Sequence, residues 1–232
     1  MSKPQIEEAC AYALSQLRAG LDKKYVYHNV WHTEKDVMVS VERLGRLSNL
    51  SQWDIDLLRV AGAYHDIGFL VRQAGHEQIG AQSAADLLPR FGFDDGHIKN
   101  IQDLIMATKL PQSPINLMGQ IMADSDLDLL GREDFFYRSE QLRKEMAILG
   151  DVVPLQIWLE RQVVFLSNHT YFTQAARQTR TPRKKKHIEI LKGMLTKNLT
   201  EEQYFYNYVE PTMTPGPTPP PFYADFNQPL HP

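Results

Sequence analysis

An apolar helical run, Leu57-Leu58-Arg59-Val60-Ala61-Gly62-Ala63, leads without a break into Tyr64-His65-Asp66-Ile67-Gly68. Adjacent histidine and aspartate therefore stand at the end of a core helix, where a carboxylate is costly unless a cation or several donors compensate it. Two other stretches place similar groups beside apolar residues. In Tyr27-His28-Asn29-Val30-Trp31-His32, two imidazoles four residues apart share a face if the stretch is helical. Ala123-Asp124-Ser125-Asp126-Leu127-Asp128 follows the apolar run 115–122 and again sets carboxylates against core positions. Taken singly, each cluster reads as a capped or salt-bridged helix end. Taken together they point to one polar site within a helical core.

Helical periodicity extends through most of the chain. Val37, Val41 and Leu44, then Leu57, Leu58 and Ala61, then Ile98, Ile101, Leu104 and Ile105 each mark one apolar face. No alternating run is long enough for a sheet. Short breaks fall at Gly20-Leu21-Asp22, at 91–96, at Pro111-Gln112-Ser113-Pro114 and at Gly150-Asp151, and Asp54 and Asp94 stand where helix caps are useful. The expected fold is all-α, a single bundle of about eight or nine helices. Its boundaries are 1–200 for the domain and 201–232 for a Pro-rich extended tail. From Pro211 onward, 8 of the 14 prolines fall in 22 residues, a composition that starves helices of backbone donors. The tail reads as a solvated appendage, with Phe222, Tyr223 and Phe226 as anchors if it docks. Arg183-Lys184-Lys185-Lys186-His187, next to Pro182, reads as a solvated helix start. His97, His187 and His231 read as exposed, and Trp31, Trp53 and Trp158 as packing residues.

Composition narrows the function classes. The chain has 232 residues, 25 Lys+Arg against 28 Asp+Glu, 8 histidines and one cysteine, Cys10. A lone cysteine excludes an intramolecular disulfide and a thiolate zinc site and fits a reducing, cytoplasmic setting. A net charge of -3 gives no reason to expect nucleic-acid or membrane binding. The N-terminus, with Glu7 and Glu8 and no long apolar core, does not read as a signal peptide. No window approaches the roughly 20 apolar residues that span a bilayer. Imidazole and carboxylate are thus the available metal ligands. They suit zinc, manganese, iron or, with more oxygens, magnesium, and two of each leave open positions for water and substrate. Such a centre suits phosphate ester hydrolysis.

His32, then His65-Asp66, then an aspartate of Asp124-Ser125-Asp126 resembles, in its order, the HD-domain superfamily of metal-dependent phosphohydrolases, named for its His-Asp dipeptide. Tyr27-His28-Asn29 with His32, residues 65–69, His76-Glu77 and residues 124–131 look like a bacterial branch of that superfamily, some of whose members accompany nucleotide cyclase or sensory domains. The late stretch from Trp158 through His169-Thr170-Tyr171 to Lys186 is similar to its C-terminal helices. The likeness covers about residues 20–195.

The resemblance implies an all-helical fold and a divalent metal ion (Zn, Mn, Mg, Fe or Ni) held by His32, His65, Asp66 and either Asp124 or Asp126. It implies hydrolysis of a phosphomonoester or phosphodiester, a nucleotide or cyclic nucleotide, by metal-activated water. His28 is similar to the histidine that protonates the leaving oxygen in cyclic-nucleotide phosphodiesterases, and Asp66 doubles as an acceptor for the water's proton. Asn29 either orients His28 or caps a turn. Lys109 and Arg132 are the candidate substrate contacts. Members with two metals use further histidines between the His-Asp pair and the last aspartate. Here only His76 and His97 lie in that interval, and Thr108-Lys109 stands where a histidine often occurs. One tightly bound ion is therefore expected, with a second through Asp66 and His76 as the variant. Two rival readings of the sequence remain: a non-catalytic nucleotide or metal sensor, and a di-iron oxygenase on the same fold. The expected partner is a small phosphate ester, and a homodimer stays open because helical domains of this size often pair.

Overall fold

A computed structural model describes residues 4–213, and the described residues contain no strand. Ten α-helices follow in order: α1 (Ile6–Gly20), α2 (Met38–Leu47), α3 (Gln52–Tyr64), α4 (His76–Leu87), α5 (Asp95–Met106), α6 (Leu117–Asp126), α7 (Phe135–Ile148), α8 (Leu155–Asn168), α9 (Gln174–Lys197) and α10 (Glu201–Tyr204). A π-helical turn, His32–Val37, runs directly into α2.

The centre of the bundle is α3. From Leu57 to Tyr64 all but one of its residues are buried, because α1, α2, α5 and α6 pack around it. A helix enclosed on every side loses the polar face of an ordinary surface helix, which is why this stretch is so apolar. Ser51 caps it by accepting from the Asp54 amide (3.1 Å). Asp54, expected as the cap, instead sits in the first turn and accepts from the Ser51 hydroxyl (2.6 Å). Asp94 caps α5 as expected, through the His97 amide (2.9 Å).

At its far end α3 stops at His65 and Asp66, and the chain makes a single 3-10 turn, Ile67–Leu70. Helix α4 closes over this turn. A side chain on Gly68 would overlap the His76 backbone, and one on Gly80 would come within 2.9 Å of the Tyr64 and His65 carbonyl oxygens. Both glycines are required by close backbone approach, not by turn geometry.

Helices α8 and α9 pair beside this core. Pro182 lies inside α9 and does not start it. The basic run that follows is not a solvated face throughout. Lys184 is buried and donates to the Leu166 carbonyl (3.0 Å) and to the His169 carbonyl, satisfying the end of α8 where a cation is favoured. His187 is also buried, stacked on Phe135, with Nδ1 donating to the Leu130 carbonyl (3.0 Å). His169 and Tyr171 lie in the connection between α8 and α9, where burial and the Lys184 charge push the His169 pKa down to about 4.

Residues 201–212, expected as the start of an extended tail, are helical. Thr200 and Gln203 form a reciprocal cap, and Tyr204 and Val209 are buried. Pro211 falls in the first turn of the last short helix, where a missing N–H costs nothing. Thr212 Oγ1 accepts from the Tyr137 amide (3.0 Å), tying the segment to α7. Phe222, Tyr223, Phe226 and His231 lie outside the described residues. No described helix is long and apolar enough to cross a membrane.

Gly68→Ala should lower stability by roughly 1–3 kcal/mol, the usual cost of forced overpacking, because the obstacle is backbone. Urea denaturation followed by circular dichroism measures it; an unchanged midpoint would contradict the close approach of α4.

Candidate metal centre

The site begins where α3 ends. His65 Nδ1 donates to the Gly62 carbonyl (2.7 Å), which fixes the ring's tautomer and leaves the Nε2 lone pair directed away from the helix. That Nε2 lies 3.2 Å from Asp66 Oδ2 and 3.6 Å from Asp126 Oδ1. His32 enters from the π turn, with Nε2 3.3 Å from Asp126 Oδ1 and 3.8 Å from Asp66 Oδ2. π-Helical turns recur at functional sites. Asn29 holds this one in place, its side-chain oxygen accepting from the Trp31 (2.9 Å) and His32 (3.2 Å) amides. Asn29 is thus a cap.

His65 Nε2 and Asp66 Oδ2 are buried and have no hydrogen-bond partner among the described residues. A carboxylate oxygen beside an imidazole nitrogen, neither given a partner by the rest of the fold, is the arrangement a cation completes. Bonds of about 2.1 Å to an ion separate neighbouring ligand atoms by about 3.0 Å at right angles and about 3.4 Å in a tetrahedron. Ligand atoms of His32, His65 and Asp66 all lie within 4.8 Å of one another. The residues therefore fit a divalent ion.

Charge reinforces the fit. Burial disfavours a charged His32 and His65, yet contacts of His32 with Asp126 and Asp36, and the Asp66 charge beside His65, raise both imidazoles above their ordinary value. Burial is likewise outweighed at Asp66 by His65, and at Asp126 by His32 and His65, so both carboxyls are held well below the usual range.

Behind His32 stands Asp36, with Oδ2 3.5 Å from His32 Nδ1. Burial of Asp36 is overcome by His32, Arg138 and Arg132, so it stays an anion. Arg138 donates to Oδ2 (2.9 Å) and Arg132 to Oδ1 (2.5 Å).

His28 lines the neighbouring cavity. Its Nδ1 donates to Glu145 Oε1 (2.5 Å), while Glu145 Oε2 accepts from the Tyr27 (2.8 Å) and His28 (3.0 Å) amides. The ring stacks on Phe69. This leaves Nε2 as the only His28 nitrogen free to act on a ligand. His76 Nδ1 is occupied similarly by the Gln73 carbonyl (3.0 Å), with Nε2 3.6 Å from Asp66 Oδ1. The cavity measures about 650 Å³, and His28, Asp66, His76, Lys109 and Asp126 share its lining.

The molecule superposes on the crystal structure of a predicted HD superfamily hydrolase from an uncultured Thermotogales bacterium, with a TM-score of 0.54. Sequence identity is 22%, over 82% of this chain and 92% of that one. The two proteins share a fold. No protein-family model matches the chain, and no curated protein does.

Within this fold, Asp126 is the aspartate brought to the cluster. Asp124 is not, because its oxygens accept from the Phe172 amide (2.8 Å) and from the Thr173 amide (2.8 Å) and hydroxyl (2.7 Å). Three donors leave it anchoring the start of α9. Arg132, expected to meet substrate, is occupied by Asp36 and by both oxygens of Asp134, and lines a separate depression with Arg180 and Arg183. Lys109 does line the cavity, its ammonium beside the Gln78 side-chain amide. Thr108 is buried and bonded to the Ile105 carbonyl (2.8 Å). His169 and Tyr171 do not line the cavity. Glu145 has no signal in the sequence that marks it as a partner of His28. Asp36 does have one, since it falls one helical turn after His32.

Raised imidazoles hold protons that a metal must displace. Affinity for Zn²⁺ or Mn²⁺ should therefore rise with pH through the neutral range, with net proton release seen by calorimetry in two buffers of different ionisation enthalpy. A pH-independent affinity would contradict the coupled cluster.

Proposed function

We propose that the protein is a metal-dependent hydrolase of phosphomonoesters or phosphodiesters, with nucleotides or cyclic nucleotides as the substrate class. One observation carries the reading: Asp66, at the end of α3 beside His65, lines the same cavity as a histidine already fixed by a buried carboxylate. His32, His65, Asp66 and Asp126 would hold the ion. A divalent ion at such a site supplies an acidified water and a counter-charge for phosphoryl oxygens.

The chain's own groups then divide the remaining work. His28 Nε2 donates a proton to the departing ester oxygen, and Glu145 keeps the ring oriented through Nδ1. Asp66 accepts a proton from the attacking water. Lys109, at the cavity wall, pairs with a phosphoryl oxygen. One tightly bound ion is favoured, since Thr108 supplies no ligand and His76 alone approaches Asp66 from α4. The likeness to a predicted HD superfamily hydrolase supports the hydrolase reading at the level of fold. Buried, unpaired Cys10 is compatible with the cytoplasmic setting this reading includes.

His28→Ala should lower kcat by about 10²–10⁴-fold while leaving the metal content unchanged, and Glu145→Gln should lower it less. Turnover of mono-, di- and cyclic nucleotides by metal-loaded protein tests the reading. Tight nucleotide binding without product would favour a sensor; wild-type rates in His28→Ala would remove the assigned proton donor.

A further inference from the structure

A second concavity, about 320 Å³, lies between the segment entering α7 and the middle of α9, and its lining includes Gly131, Arg132, Glu133, Asp134, Arg180 and Arg183. None of these lines the metal cavity. Two of its arginines are fixed in place. Gly131 packs so closely on α9 that a Cβ there would lie 2.4 Å from the Arg180 carbonyl oxygen. Arg180 donates through Nε (2.7 Å) and Nη2 (2.8 Å) to the two oxygens of Asp128, and Arg132 is held by Asp36 and Asp134. Guanidiniums positioned before a ligand arrives lose little freedom on binding it.

Donors in this depression remain uncommitted. Arg180 Nη1 has no partner among the described residues. Arg183 makes no side-chain hydrogen bond among them; its Nη1 has only an ion pair with Glu133 (2.6 Å), whose side chain is 83% exposed. Solvated pairs of that kind contribute little. The Arg180 and Arg183 side chains are themselves 23% and 42% exposed, so both guanidiniums are within reach of a dissolved ligand. Positive charge is also in surplus. Asp36 and Asp134 balance Arg132 and Arg138, but Asp128 alone serves both Arg43 and Arg180, and exposed Lys186 follows Arg183 by one helical turn.

We infer that this depression is a second anion site, separate from the metal centre, that takes the phosphate or diphosphate group of a small ligand. Arg180 Nη1 and Arg183 donate to its oxygens, Arg183 exchanging Glu133 for the ligand, and Arg132, already held by its two aspartates, contributes charge. Guanidiniums meeting around one concavity suit an ion with oxygens in several directions, whereas a monocarboxylate satisfies a single fork. The volume lies at the small end of ligand cavities, which run from about 300 to 1,000 Å³. The site shares no lining residue with the metal cavity and so stands independently of the hydrolase reading.

Calorimetric titration of full-length, metal-loaded protein with methylenediphosphonate, a diphosphate that cannot be hydrolysed, tests the inference, with acetate as control. Lys109→Gln identifies any binding that belongs to the metal cavity, because the depression's share should survive that change. Arg183→Gln should weaken the surviving binding about tenfold, the loss of one charge-assisted contact. Glu133→Gln, which frees Arg183 from its competing carboxylate, should tighten it about two- to fivefold. A gain of affinity from an exposed position cannot come from a folding defect, so it guards the Arg183→Gln result. Diphosphonate binding that follows this pattern, with no binding of acetate, supports the site. Binding that Lys109→Gln abolishes entirely, equal affinity in wild type, Arg183→Gln and Glu133→Gln, or acetate binding as tightly as diphosphonate would overturn it. Association with a single-stranded RNA oligonucleotide without any uptake of diphosphonate would also overturn it, in favour of an extended polyanion surface.

Discussion

Two polar side chains at the end of a helix buried on all sides set the terms for this molecule. His65 and Asp66 cannot be turned towards solvent, because α4 closes over the turn at Gly68 and Gly80. Nor do the described residues supply donors: the Asp66 oxygen and the His65 nitrogen that face the cluster have no hydrogen-bond partner among them. Breaking a buried charge arrangement by removing one partner typically costs about 3–5 kcal/mol. The same arrangement left incomplete calls for a cation. His32 on its π turn and Asp126 at the end of α6 bring the remaining ligand types to the same point.

Around that point the structure is organised as successive charge pairs. Asp36 links His32 to Arg132 and Arg138. Asp128, buried beyond the α6 terminus, is held by Arg43 (2.6 Å) from α2 and by Arg180 (2.7 Å) from α9. Asp124 secures the entry to α9. The three aspartates that follow Met122 therefore play different parts, since Asp124 anchors a helix, Asp126 faces the cluster and Asp128 joins three elements. Glu145 completes the frame from α7 by fixing His28.

The all-helical fold and much of the cluster were legible in the sequence, for physical reasons that also explain what was not. Apolar spacing reports burial, so α3 and its polar terminus could be read directly. The choice between Asp124 and Asp126 could not, because both lie near one helix face and the deciding donors come from Thr173, 49 residues away. Glu145 is 117 residues from His28 and has no local pattern to betray it. Arg132 resembled a free phosphate contact because its partner Asp36 is 96 residues distant. His187 and Lys184 sat in a run of charges, and only the docking of α9 against α8 and the 128–131 turn buries them. Short-range periodicity thus conveys which residues are inside, while partner choice depends on tertiary contacts.

The central claim is that one cation completes the His65–Asp66 terminus. Element-resolved anomalous diffraction from crystals grown with Zn²⁺ or Mn²⁺ tests it most directly. The account predicts one strong peak about 2.0–2.2 Å from His32 Nε2, His65 Nε2 and carboxylate oxygens of Asp66 and Asp126. A metal-saturated crystal with no peak among these four residues, or with its strong peak on Asp124, would contradict it.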